Sequence, residues 1–131
     1  MKLITRDTDY AVRAVAYIAA RKGTVLSVAE LQEALRIPRP FLRKILQALT
    51  RTGILGSRKG IGGGFELLKK PSTIRLTDII EVFQGALTFN ECLFKRKLCP
   101  NRRTCVLKKK IDAIERHIIH ELRSVVMSDL L

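Results

Sequence analysis

The chain has no apolar run approaching the roughly 20 residues that a membrane-spanning helix needs. Its first residues show no charged, then apolar, then small-residue leader. A cytoplasmic protein with no membrane partner is therefore expected. Acidic residues are scarce: 12 Asp and Glu stand against 25 Lys and Arg, giving a formal charge of +13 and a pI near 10.3. Such an excess calls for a polyanionic partner, nucleic acid first and a membrane surface second. Cysteines number only three. An odd, clustered set in a reducing compartment favours metal or redox chemistry over structural disulfides. No internal repeat or low-complexity tract is present. No nucleophile–base pair or paired carboxylates can be found, so an enzyme is not expected. "GIGGG" lacks the Lys-Ser/Thr ending of a phosphate-binding loop.

What is present is a helical chain with one interruption. At 131 residues and 47% hydrophobic, it makes one compact domain with an appended element. In "DYAVRAVAYIAAR" (9–21), Val12, Val15, Ala16 and Ala19 recur at helical spacing, and Gly23 ends the helix. Ser27 and Glu30 form a capping-box pattern ahead of "VAELQEAL". The prolines of "RIPRP" break that helix and suit the start of the next, about 39–52. Its expected buried face is Phe41, Leu42, Ile45, Leu46 and Leu49, and Gly53 closes it. "ILGS" (54–57) and "FELL" (65–68) read as short strands joined by "RKGIGGG". After Pro71 and Ser72, Thr77 is expected to cap "DIIEVFQG". A long helix, about 104–126, ends the pattern.

Two helices joined by a tight turn, followed by a hairpin, predict a winged helix-turn-helix. The fold class is mainly α with a small β-hairpin wing and a long C-terminal dimerisation helix. Residues 1–75 would be the DNA-binding region and 76–131 the sensor loop and dimerisation helix. Arg39, Pro40, Arg43 and Lys44 fall near the start of the second helix, where base edges are read. Arg43 suits a bidentate guanine contact, whereas Lys44, Arg51, Lys59 and Lys69 suit phosphates. Arg58 and Lys59 lead the wing loop toward phosphates or the minor groove. A solvated basic face is the plainer reading of each cation alone. On the last helix Leu107, Ile111, Ile114, Ile118 and Leu122 form a sustained apolar stripe suited to a second copy of the chain.

All three cysteines lie in "ECLFKRKLCPNRRTC" (91–105), with no acid from Cys92 to Lys110. The spacing C-x6-C-x5-C lacks the tight C-x2–4-C pairs usual in zinc sites. A disulfide with a spare thiol, zinc, a redox switch and an iron–sulfur cluster all remain open from the residues alone. Lys95, Arg96, Lys97, Arg102 and Arg103 would offset the negative charge of thiolates or of a thiolate-ligated cluster.

In that order, "TDYAVRAVAYIA", "IPRPFLRKILQALTRTGIL", "SRKGIGGGFEL" and the triple-cysteine loop resemble the Rrf family of bacterial winged-helix regulators, the group of IscR, NsrR, RirA and CymR. The resemblance covers nearly the whole chain. It implies a cytoplasmic homodimeric transcription factor, a repressor, binding a double-stranded DNA operator. It also implies an iron–sulfur cluster held by Cys92, Cys99 and Cys105. The first gap is one residue longer than the family pattern. The IscR-type histidine is absent, because that position is Lys108; His117 and His120 lie several turns away. Asp9 matches the NsrR-type aspartate donated by the other subunit, with Asp7 as a substitute. That ligand set leans toward [4Fe–4S] over [2Fe–2S]. The competing reading of Asp9 is the cap of the first helix. The signal would be iron–sulfur status, oxygen, nitric oxide or redox stress, relayed by a shift of loop 88–105. The alternatives are a cofactor-free thiol- or ligand-responsive regulator of the same family, as in the CymR branch, and an iron–sulfur carrier.

Overall fold

A computed structural model describes residues 2–87 and 105–131. Helix α1 (Arg6–Ala19) packs on α2 (Val28–Leu35), α3 (Arg39–Arg51) and α4 (Leu76–Gln84), with the hairpin β1 (Leu55–Arg58) and β2 (Gly64–Leu67) between α3 and α4 in the chain. Helix α5 (Val106–Ser124) follows, and a short 3₁₀ turn, Met127–Leu130, returns to the body. The core is aliphatic: Ala14, Val15, Ile18, Leu31, Leu42, Leu46, Leu49 and Leu55 are all fully buried.

Helix α1 begins earlier than its apolar spacing suggests. Thr5 is the N-cap, its hydroxyl accepting from the Thr8 N–H at 3.4 Å. Asp9 is therefore not the cap; it lies one turn inside, with its N–H donating to the Thr5 carbonyl at 2.9 Å. Asp7 and Asp9 remain in the first turn, where negative charge complements the helix dipole. The capping box at α2 forms as expected: Ser27 N–H donates to Glu30 at 2.7 Å, and Glu30 N–H to the Ser27 hydroxyl at 3.1 Å. Arg36 then takes a left-handed conformation, φ 55°, which turns the chain into α3.

Two side chains depart from expectation. Phe41 is exposed rather than buried; the Arg6 guanidinium covers its ring at 4.5 Å from the centroid. Thr77 is buried inside α4 rather than capping it, and the cap position is Arg75, whose N–H donates to the Asp78 carboxylate at 2.9 Å. Helix α5 stops at Ser124 because Val125 and Val126 are extended. There Leu76 N–H donates to the Val125 carbonyl at 2.9 Å and Met127 N–H to the Ile74 carbonyl at 2.8 Å. Met127 is fully buried in the core.

The hairpin is antiparallel, with Leu55 opposite Leu67 and Arg58 opposite Gly64. It is fastened to the body by an exchange of backbone bonds between Leu26 and Phe65, at 2.9 and 2.8 Å. A Cβ on Gly64 (φ +152°) would lie 2.1 Å from the Leu26 carbonyl oxygen, so that approach requires glycine.

Candidate functional site

Burying Leu42, Ile45, Leu46 and Leu49 turns the opposite face of α3 outward. Arg39, Pro40, Arg43, Lys44 and Arg51 are all exposed there. No acidic residue occupies the first turn, and no side chain caps the helix. The leading N–H groups of α3 are thus left to outside acceptors, and an anion is the favoured one. Among the described residues Arg39, Arg43, Arg51 and Lys59 have no ion-pair partner. Lys44 is paired with Asp7 at 3.8 Å, and Arg58 Nε donates to Glu66 at 3.1 Å along the hairpin. Exposed pairs of this kind are weak enough to be exchanged for phosphate contacts.

The start of α1 links this face to the end of α4. Gln84, the last residue of α4, accepts at Oε1 from the Thr8 hydroxyl (2.7 Å) and the Thr5 N–H (3.0 Å). Its Nε2 donates to the Leu3 carbonyl at 3.2 Å. One turn of α1 thereby carries three connections: Thr5 and Thr8 to α4, Arg6 over Phe41 of α3, and Asp7 to Lys44 of α3. The next turn reaches α2: Asp9 pairs with Arg13 at 3.9 Å, and Arg13 donates to the Leu35 carbonyl at 2.9 Å. The Asp9 side chain is 59% exposed. None of the Gln84 contacts was anticipated from sequence, although Thr5 ahead of a helical run is a legible cap signal.

Cys92 and Cys99 lie outside the described residues, as do Lys95, Arg96, Lys97, Arg102 and Arg103. Cys105 is described: it is a free, half-buried thiol and the N-cap of α5. Its Sγ accepts from the Lys108 N–H at 3.4 Å. A helix N-terminus favours negative charge, so the position fits a thiolate ligand. Among the described residues no group of three His, Cys, Asp or Glu side chains converges. His117 and His120 are exposed on α5.

Among the described residues the apolar stripe of α5 is only partly covered, by packing on α4. None of its 19 residues is buried, and Leu107 and Ile114 are 68% and 59% exposed. Ile111, Ile118 and Leu122 are half-buried. Among the described residues no helix is long and apolar enough to cross a membrane.

The sequence pattern of the Rrf2 family, described as "Iron-dependent Transcriptional regulator", matches residues 4–131. A protein of Aquifex aeolicus (strain VF5), named "Putative HTH-type transcriptional regulator", is 33% identical over 132 residues, covering 98% of this chain and 92% of the relative. The solved structure of CymR (YrzC), the global cysteine regulator of B. subtilis, superimposes with a TM-score of 0.83 at 22% identity, over 99% of this chain and 96% of that one. T. potens IscR gives 0.77 at 24% identity, over 99% and 85%. These two likenesses establish the winged-helix fold alone, with its five described helices and two-stranded hairpin.

Proposed function

Since the chain belongs to the Rrf2 family of DNA-binding transcriptional regulators, we propose that it is a homodimeric repressor that binds operator DNA and holds an iron–sulfur cluster as its sensor. The observation that carries the sensor reading is Cys105: a free thiol whose sulfur sits at the N-terminus of α5, within the same sequence stretch, 91–105, as the chain's other two cysteines. Cys92, Cys99 and Cys105, with Asp9 of the partner subunit, would hold the cluster, with [4Fe–4S] favoured over [2Fe–2S]. When bound, the cluster supplies a reactive centre for oxygen, nitric oxide or redox change.

The protein's own residues supply the response. Asp9 has two partners to choose between, because the carboxylate that would serve the cluster also pairs with Arg13. Arg13 holds the Leu35 carbonyl at the turn into α3. A change in what Asp9 binds therefore alters the load on the helix-turn-helix, and DNA affinity shifts by a change in population. On the DNA side, Arg43 reads a base edge. Arg39 and Pro40 lie beside it at the start of α3, Lys44 and Arg51 contact phosphates, and Arg58 and Lys59 reach phosphates or the minor groove. The partly exposed stripe Leu107, Ile111, Ile114, Ile118 and Leu122 packs against its counterpart, setting the distance between the two α3 helices.

The test is iron and acid-labile sulfide counting with an absorption spectrum, on protein purified without oxygen. Native protein should carry both elements, and Asp9→Ala should lose them or change the spectrum. Colourless protein free of iron and sulfide after reconstitution would refute the sensor. It would favour a cofactor-free thiol- or ligand-responsive regulator.

A further inference from the structure

The tip of the wing is an isoleucine that stands fully in solvent among the described residues. Ile61 is 109% exposed, the most exposed of the large hydrophobic residues described. Lone exposed apolar residues are ordinary, but three features set this one apart. First, its backbone is fixed. Gly63 N–H donates to the Gly60 carbonyl at 3.0 Å, closing a tight turn with Ile61 as its second residue. Gly60 and Gly62 have φ of +90° and +76°, and a Cβ on Gly63 would lie 2.3 Å from the Arg58 carbonyl oxygen. Second, the residue contradicts its setting. Proline is the favoured occupant of that turn position, and β-branched residues belong in strands. Where a sequence breaks a local rule in solvent, function is the usual reason. Third, the tip is narrow and basic. A Cβ built on Gly60 or Gly62 meets nothing within 4 Å among the described residues, so the flanks of Ile61 are bare. Lys59, unpaired among the described residues, stands two positions before it.

We propose that Ile61 is the wing's minor-groove reader: its side chain packs on the deoxyribose edges and groove floor of A·T pairs flanking the site of α3. This rests on the DNA-binding reading above and adds a sequence preference that the cations cannot supply. The minor groove is about 6 Å wide, and only G·C pairs project an N2 amino donor into it. A glycine-flanked tip fits that width. An apolar group pressed on the amino donor leaves it without an acceptor, which costs binding. Isoleucine's stiff side chain loses little freedom on entering.

The experiment uses the full chain and a duplex selected by it from a random-sequence pool. In a second version of that duplex, 2,6-diaminopurine replaces adenine in the flanks, adding the N2 amino group and leaving the major-groove edge unchanged. Native protein should bind the modified duplex about fivefold or more weakly. Ile61→Ser should bind both versions equally, Ile61→Val should keep the discrimination, and all three should share one salt dependence. Equal discrimination by native protein and Ile61→Ser would overturn the assignment of Ile61. If the native chain enriches no duplex at all, the DNA-binding reading falls with it. Because Ile61 is fully exposed among the described residues, Ile61→Ser should unfold at the same temperature as native protein.

Discussion

The Thr8 hydroxyl donates to Gln84 Oε1 at 2.7 Å, joining two helices whose contact residues lie 76 positions apart in the chain. Thr8 is fully buried, and Gln84 is the last residue of α4, a few positions ahead of the cysteine-bearing segment. Gln84→Ala strips the acceptor from a buried hydroxyl and from the Thr5 N–H. It should cost about 1–3 kcal/mol in chemical denaturation. Gln84→Glu keeps that acceptor and loses the bond from Nε2 to Leu3, so it should cost less. Equal losses would show that the contacts at Oε1 contribute nothing special.

Gly64 and Gly23 both have positive φ, and they should respond differently to alanine. At Gly23 an added Cβ meets nothing within 4 Å, so Gly23→Ala should cost only about 1 kcal/mol of left-handed strain. At Gly64 the Cβ would strike the Leu26 carbonyl and break the exchange with Phe65. Gly64→Ala adds a displaced wing to about 1–3 kcal/mol of backbone strain, and DNA affinity should fall with stability. Thermal unfolding and a binding titration on the same samples check both.

Ile114→Glu should yield a folded monomer. The side chain is largely exposed within one chain, so charging it leaves the core intact. Sedimentation should show half the native mass with an unchanged helical spectrum. Operator affinity should drop at least about tenfold as the linked second half-site is lost.

Glu30 gives a pH signature. The Ser27 backbone N–H, and then the Ser27 hydroxyl, hold its carboxyl below the ordinary value of 4.5. A depressed folded-state value means that the stabilisation is complete above 4.5 and fades as pH falls below it. Glu30→Gln should flatten that part of the stability-against-pH curve, measured by denaturation midpoints between neutral and acidic buffers.

Much of this fold was legible because its signals are local. Ser27 and Glu30, three residues apart, mark α2; Pro38 and Pro40 start α3; glycines bracket the hairpin. The misreadings share the opposite cause. Phe41 has core spacing but is taken by Arg6 from another helix. Thr77 looks like a cap, yet tertiary packing buries it inside α4, and the cap position falls to Arg75, whose N–H the Asp78 carboxylate accepts. Helix α5 ends before its apolar pattern does because residues 125–127 pair with residues 74–76, which no window along the chain can reveal. The site divides in the same way. Exposed cations on α3 follow from helical period, but the bonds through Gln84 and Arg13 depend on which helices meet.

Met127 fills the core of the DNA-binding body from nearly the last turn of the chain. During synthesis the winged helix must wait for it: α1 to α4 and the hairpin emerge first, without the residue that closes their interior. By the time Met127 leaves the ribosome, Cys105 and the whole apolar stripe of α5 are already outside. A nascent chain thus exposes Cys105 and the apolar face of α5 before the core beneath its helix-turn-helix is complete.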